Sequence, residues 1–188
     1  MKTAVEIIRR NIFLLGFLMF ILNPVFAQEP EFMPPENEQK THYLLGIIGY
    51  NYTDRAIDRF SVNGQSGGDI GVSSPTSGGG GTVCCVLFPK THKWPVQVLV
   101  RWQSGGCRVW DKGRKSGHNR YFYKEKIVNL ENGTKTYPFY LEAHFFKNDE
   151  VRVRIVNDSE PPLLQLPEER AVDEYFSECR AGAPTEDF

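Results

Sequence analysis

Residues 82–102, TVCCVLFPKTHKWPVQVLVRW, carry two β signals in succession. Thr82–Phe88 is rich in β-branched and apolar side chains and stops at Pro89, which has no amide proton to continue a ladder. In Val96–Trp102 the residues Val96, Val98, Val100 and Trp102 recur at every second position. That is the period of a strand and not of a helix. Downstream, Val151, Val153 and Ile155 alternate with Arg152 and Arg154, as in a strand with one wet face. Tyr43–Tyr50, Ile57–Asn63, Cys107–Trp110, Tyr121–Leu130 and Tyr137–Phe146 add further runs, separated by turn signals such as Asn63-Gly64, Ser104-Gly105-Gly106 and Asn132-Gly133. The pattern predicts a mainly β fold, an antiparallel β-sandwich or partly open barrel of about seven to eight strands.

Three segments depart from that pattern. Gly64–Gly81 contains eight glycines among serines and reads as a long flexible loop. Asp111–Arg120 reads as a basic loop. In Glu168–Arg180, the residues Ala171, Val172, Tyr175, Phe176 and Cys179 fall on one face of a helix. Two glutamates open this segment and Arg180 with Gly182 closes it, as the helix dipole and C-terminal rules require. The expectation is one C-terminal helix, 168–180, packed on the sheet.

Upstream, Met1–Ala27 reads as a cleavable signal peptide. Lys2, Arg9 and Arg10 precede the apolar run Ile12–Leu22, and Val25-Phe26-Ala27 offers small residues before Gln28. The apolar run is 11 residues, well short of the ~20 of a membrane span. No cysteine follows it, so there is no lipobox. Gln28–Lys40 (QEPEFMPPENEQK) reads as a disordered leader, and 41–188 as a single β-rich domain.

The 188 residues carry 22 basic and 23 acidic side chains, a balance unlike that of a nucleic-acid-binding domain. The balance hides a segregation. Arg101–Lys126 has a net charge of +6, whereas Asp158–Phe188 has −7. The basic segment interleaves Trp110, Tyr121, Phe122 and Tyr123 with its cations. Arg108, Trp110, Arg114, Arg120 and Tyr123 are therefore candidates for contact with a protein partner, since Arg and aromatic residues are enriched at interface hot spots. A solvated loop is the competing reading.

Catalytic signals are sparse. His42, His92, His118 and His144 are scattered and match no metal-ligand spacing, and no cofactor motif is present. Ser66 sits in Gly64-Gln65-Ser66-Gly67-Gly68, a G-x-S-x-G match, but an Asn-Gly turn and more glycines flank it. The nucleophile elbow needs a strand before the serine and a helix after it. A serine hydrolase using Ser66 is thus a remote alternative. Cys84, Cys85, Cys107 and Cys179 suit two disulfides in an oxidising compartment. Adjacent strand residues point to opposite faces, so Cys84 and Cys85 are placed to reach Cys107 and Cys179 in either combination. The third pairing joins Cys84 to Cys85. Asn51, Asn132 and Asn157 head glycosylation sequons, which matter only in a eukaryotic secretory route.

Several of these pieces occur in a specific order. N-Y-T-D-R at 51–55 is followed by V-N-G at 62–64, G-G-G-G at 78–81 and C-C-V at 84–86. Pro89, Trp94-Pro95, V-x-V-x-W at 98–102 and A-H-F-F-x-N-D-x-V-R-V at 143–153 complete the series. In this the chain resembles a bacterial family labelled domain of unknown function 3304. The resemblance implies a Gram-negative envelope protein with no assigned catalytic residues. Many members are lipoproteins, and some sit beside phospholipase effectors of the type VI secretion system. The expectation is a soluble periplasmic immunity protein that neutralises a secreted phospholipase-type toxin by occlusion, without cofactor. The alternative is an envelope carbohydrate- or lipid-binding module.

Overall fold

Val98, Val100 and Trp102 point inward in the structure, a computed structural model that describes residues 36–110, 117–134, 137–167 and 176–180. After a short helix α1 (Glu36–Thr41) come eight strands. These are β1 (His42–Asn51), β2 (Ile57–Val62), β3 (Gln65–Ile70), β4 (Gly79–Pro89), β5 (Gln97–Trp110), β6 (Gly117–Asn132), β7 (Tyr140–Phe145) and β8 (Val151–Val156). They form one sheet in the order β3-β2-β5-β6-β8-β7-β1-β4. Its two edges approach each other where the Gly71 amide donates to the Gly79 carbonyl at 2.8 Å. The fold is therefore a nearly closed barrel and not two packed sheets.

The inside is filled by alternate residues of every long strand. Leu45 and Ile47 meet Phe60, Val62, Leu141, Phe145, Val153 and Ile155 there. The Phe60 and Phe145 rings meet edge to face, with centroids 5.2 Å apart. Each such side chain contributes about 1.5–3 kcal/mol by leaving water.

The sheet is mixed, contrary to the antiparallel expectation. β1 runs parallel to β7, and β6 runs parallel to β8. The cause is the tight turn at Lys147–Asp149, where Asn148 and Asp149 take positive φ. It returns β8 antiparallel along β7, so β8 inserts between β7 and β6. Asn132-Gly133 consequently does not close a hairpin between β6 and β7. Only Leu130–Asn132 of β6 pair with β8, so among the described residues the earlier part of β6 has no strand beside it on that side.

Two turn readings are also corrected. Ser104-Gly105-Gly106 does not end a strand. β5 continues through it with a bulge between Gln103 and Gly105. The glycine-rich segment is not one flexible loop, because Asn63-Gly64 turns β2 into β3 and Gly79–Gly81 begins β4. Its glycines permit close approach: a Cβ on Gly67 would overlap the Phe60 ring. Gly67→Ala should destabilise the protein by about 1–3 kcal/mol, the usual penalty for overpacking. A urea titration checks this, and an unchanged midpoint would contradict the close packing.

The C-terminal helix expected over 168–180 is not seen in its last part. Residues 168–175 lie outside the described residues, and Phe176–Arg180 are extended. The Arg108 amide donates to Ser177 O at 2.8 Å, and the Cys179 amide donates to Arg108 O at 2.9 Å. β5 runs on past its pairing with β2, and this exposed edge takes up the segment. Ladder bonds there outweigh a helical hydrophobic pattern. Of the expected leader, Glu36–Lys40 belong to α1, with Lys40 in its last turn, where a cation suits the helix dipole. The expected signal peptide and the rest of the leader lie outside the described residues. Of the expected basic loop, 111–116 lie outside them too, while Gly117–Arg120 belong to β6. No helix among the described residues is long and apolar enough to cross a membrane.

Candidate functional site

The β5–β6 hairpin is the longest element, with 14 and 16 residues in its strands. Its register divides the residues singled out above. Leu99 pairs with Ile127, Arg101 with Glu125, Gln103 with Tyr123, Arg108 with Asn119 and Trp110 with Gly117. Because strand side chains alternate, these share one face of the hairpin, opposite the face that carries Val98, Val100 and Trp102 into the barrel. Arg120 pairs with Cys107 and takes the other face. Arg114 lies outside the described residues.

On the shared face the cations rest on rings. The Arg108 guanidinium lies 4.8 Å from the Trp110 ring centroid, and that of Arg101 lies 5.6 Å from Tyr123. Leu99 and Trp110 are exposed, and Ile127 is 64% exposed although it lies mid-strand. Leu99 and Ile127 carry no signal in composition along the chain, which takes in Arg101 only as the first cation of the basic segment. The signal that finds them is the pairing register. At roughly 3.3 Å per residue the face is about 45 Å long.

A second constellation lies under the surface. β1 and β7 turn Tyr50, Glu142 and His144 away from the barrel interior, and the chain after β8 crosses over them. Tyr52, just past β1, joins them. Glu142 and His144 are 0% exposed. His144 Nε2 lies 3.3 Å from Glu142 Oε2, and its Nδ1 lies 3.1 Å from the Tyr52 hydroxyl. The Tyr50 hydroxyl donates to Glu142 Oε1 at 3.1 Å and toward Glu160 O. Backbone amides complete the set, Glu160 N–H to Glu142 Oε1 at 3.0 Å and Leu163 N–H to the Tyr52 oxygen at 2.8 Å. Arg154 reaches both carboxylates, at 3.7 Å from Glu142 and 3.3 Å from Glu160. The His144 ring thus bridges the Tyr52 hydroxyl and the Glu142 carboxylate, while the Tyr52 oxygen accepts from the Leu163 amide.

The titration of the set follows from its burial. Burial alone would raise the Glu142 carboxyl. Hydrogen bonds from His144, the Glu160 amide and Tyr50 outweigh it and hold the carboxyl below its usual value of 4.5. Burial, with the Glu142 charge beside it, pushes the Tyr50 hydroxyl up. Burial likewise raises Tyr52, against the opposing amide of Leu163. The site holds a hydroxyl–imidazole–carboxylate chain, but the strap 160–166 covers it and no reacting molecule can reach it in this state. Its role here is to fasten the strap to the barrel.

The remaining sequence readings fall into place around these two regions. Sulfur atoms are paired as Cys84–Cys85 and Cys107–Cys179, the third of the three combinations. The opposite-face reasoning fails because β4 and β5 are not neighbours in the sheet. Cys84 and Cys85 instead form a bulge opposite Gly46, and the ladder of 177–179 along Arg108 delivers Cys179 to Cys107. Ser66 lies within β3, and its Oγ accepts the Gly68 amide at 3.3 Å. Its setting is an exposed strand and not an elbow. Asn51 is fully buried. Its Oδ1 accepts the Thr53 amide at 3.0 Å and its Nδ2 donates to Arg55 O at 2.7 Å. The N-Y-T-D-R stretch is thus a side-chain-stabilised turn, and a glycan on Asn51 is incompatible with the fold. Among the described residues no group of three or more His, Cys, Asp or Glu could hold a metal ion.

No curated protein and no solved structure matches the chain. The model of one family does, over residues 50–153. That interval takes in the turn at Asn51, the vicinal cysteines, the whole β5–β6 hairpin and the Tyr50–Glu142–His144 set. The chain belongs to the family described as protein of unknown function (DUF3304).

Proposed function

We propose that this chain is an exported periplasmic binding protein that neutralises a secreted phospholipase-type toxin by covering its cleft. The observation that carries the reading is the outer face of the β5–β6 hairpin. A β-sheet in a monomer normally covers an apolar face or makes it polar. Here Leu99, Ile127, Tyr123 and Trp110 stand in one row with Arg101 and Arg108 laid over rings. Arginine held on an aromatic ring loses little further freedom on binding, which favours affinity. The cationic charge suits an acidic rim on the partner. The toxin class comes from the resemblance to envelope proteins encoded beside phospholipase effectors. Occlusion needs no catalytic group, and the chain of Tyr52 hydroxyl, His144 imidazole and Glu142 carboxylate is sealed.

Co-expression of the full chain with the secreted toxin encoded beside it tests this. The expected result is restored growth and a co-purified complex. The double variant Arg108→Ala/Trp110→Ala should weaken the complex by about 30-fold or more, the effect of losing a hot spot worth about 2 kcal/mol. Growth arrest despite abundant folded protein would overturn the reading.

A further inference from the structure

We propose that the Cys84–Cys85 pair is a thiol–disulfide exchange site that accepts two electrons from a dithiol donor. The two crosslinks of the chain differ in the properties that govern exchange. Cys107 is 5% exposed, and its bond to Cys179 joins residues 72 apart. Cys84 is exposed and Cys85 half-buried, and they are neighbours in sequence. A crosslink between neighbours restricts the unfolded chain little, so stability does not account for it. Attack on a disulfide depends on access to its sulfurs, and exposed pairs are the reactive ones.

The place of the pair in the fold lets the bond open and close. β4 ends the sheet order and, among the described strands, ladders to β1 alone. The register steps from Leu45–Val86 to Ile47–Val83, so Cys84 and Cys85 sit together opposite Gly46 as a bulge. The strand is anchored on both sides of it. Val86 and Phe88 enter the core, and Thr82 pairs with Ile48. Opening the bond therefore detaches no segment, and neighbouring thiols reclose with no distant chain to bring back. The Cys107–Cys179 bond, by contrast, holds 177–179 along Arg108 together with two backbone hydrogen bonds.

The exchange is a pair of displacements. A donor thiolate attacks the exposed Cys84 sulfur. The Cys84–Cys85 bond breaks, a donor–Cys84 bond forms, and Cys85 leaves as a thiolate that takes up a proton. The donor's second thiolate then attacks the donor sulfur bound to Cys84, which closes the donor's own disulfide and releases Cys84 as a thiol. The pair gains two electrons and two protons, and the donor loses them. A monothiol cannot finish in this way. After its attack, Cys85 stands next to the mixed disulfide and expels it, restoring the original bond. Adjacency in sequence thus selects a dithiol over a monothiol.

Dithiothreitol and glutathione are the probes, each supplied to the folded full chain at the same thiol concentration without oxygen. Iodoacetamide then marks the open cysteines, and peptide mass mapping assigns them. Dithiothreitol should open Cys84–Cys85 at least about 10-fold faster than Cys107–Cys179, with the fold retained by circular dichroism. Glutathione should leave Cys84 and Cys85 joined and without a stable adduct. Cys85→Ser, treated with oxidised glutathione, should keep an adduct on Cys84, because nothing expels it. Arg108→Ala/Trp110→Ala should open at the wild-type rate, which separates this site from the hairpin. Equal opening of the two crosslinks, loss of fold as Cys84–Cys85 opens, or a stable glutathione adduct on the wild type would overturn the proposal. So would a Cys84–Cys85 pair that dithiothreitol opens only in urea.

Discussion

Glu142→Ala is expected to lower the unfolding free energy by about 3–5 kcal/mol, the cost of removing one member of a buried charged set. The carboxylate is the common acceptor for His144, Tyr50 and the Glu160 amide. Without it the buried His144 Nε2–H is left unpaired, the Glu160 amide loses its acceptor, Tyr50 keeps only Glu160 O, and Arg154 loses one of its two partners. Glu142→Gln should be nearly as severe. An amide has one accepting oxygen, so its NH2 group must confront either His144 Nε2–H or the donors on the other side. The strap 160–166 should loosen in both variants, seen as fast hydrogen exchange at the Glu160 and Leu163 amides. Urea denaturation gives the energy. A loss below about 1 kcal/mol would show that the set is not the strap's fastening.

The same set fixes how stability depends on pH. The folded carboxyl of Glu142 titrates below its ordinary value of 4.5. Its contribution is therefore complete above that value and is lost as the pH falls through the folded value. Tyr50 and Tyr52 titrate above their ordinary value of 10.0. Their contribution is present below that value and is lost as the pH rises beyond it. The stability curve should have a plateau bounded by an acid limb and an alkaline limb. In Glu142→Gln the acid limb should flatten.

The Cys107→Ser/Cys179→Ser variant is the second large expected effect. This crosslink spans 72 residues, and constraining a loop of that size in the unfolded chain contributes about 4 kcal/mol in the chain-entropy model. The loss should also release Phe176 from its seat near Tyr121, 5.8 Å between centroids, and under Arg55 at 4.4 Å. The Cys84–Cys85 pair spans one residue and closes no loop of consequence. Cys84→Ser/Cys85→Ser should therefore leave the denaturation midpoint much closer to that of the wild type. Equal losses in the two double variants would contradict this account of the crosslinks.

These features differ in how far they can be read from residues alone. The alternation of Val98, Val100 and Trp102, and of Val151, Val153 and Ile155, is legible because period two has one meaning once a core exists. Sheet order is not legible in the same way. That β8 slips between β6 and β7 depends on a three-residue turn at Lys147–Asp149, and Asn132-Gly133 looks like a hairpin on its own. Alternation also says which residues leave the barrel interior but not what meets them outside. Nothing in the alternation marks Glu142 and His144 as buried, because their cover comes from residues 160–166, a proline-flanked stretch with no periodic signal. The Gly64–Gly81 segment was misread for a related reason. Glycine has the same signature whether it loosens a loop or lets Phe60 approach a backbone.

For the candidate partner-binding residues, composition points to a segment and the pairing register divides that segment between two faces. Arg108, Trp110 and Tyr123 fall together with Leu99, Arg101 and Ile127, whereas Arg120 turns away. Arg120→Ala should thus leave partner affinity unchanged, a contrast that segment charge alone would not foresee.

The most direct test of the central claim is inhibition in solution. The folded chain is titrated into the phospholipase-type toxin proposed as its target, while ester hydrolysis is followed. Hydrolysis should fall to zero at one equivalent of wild-type chain and persist at that ratio with Arg108→Ala/Trp110→Ala. Undiminished hydrolysis in the presence of excess folded wild-type chain would contradict the account.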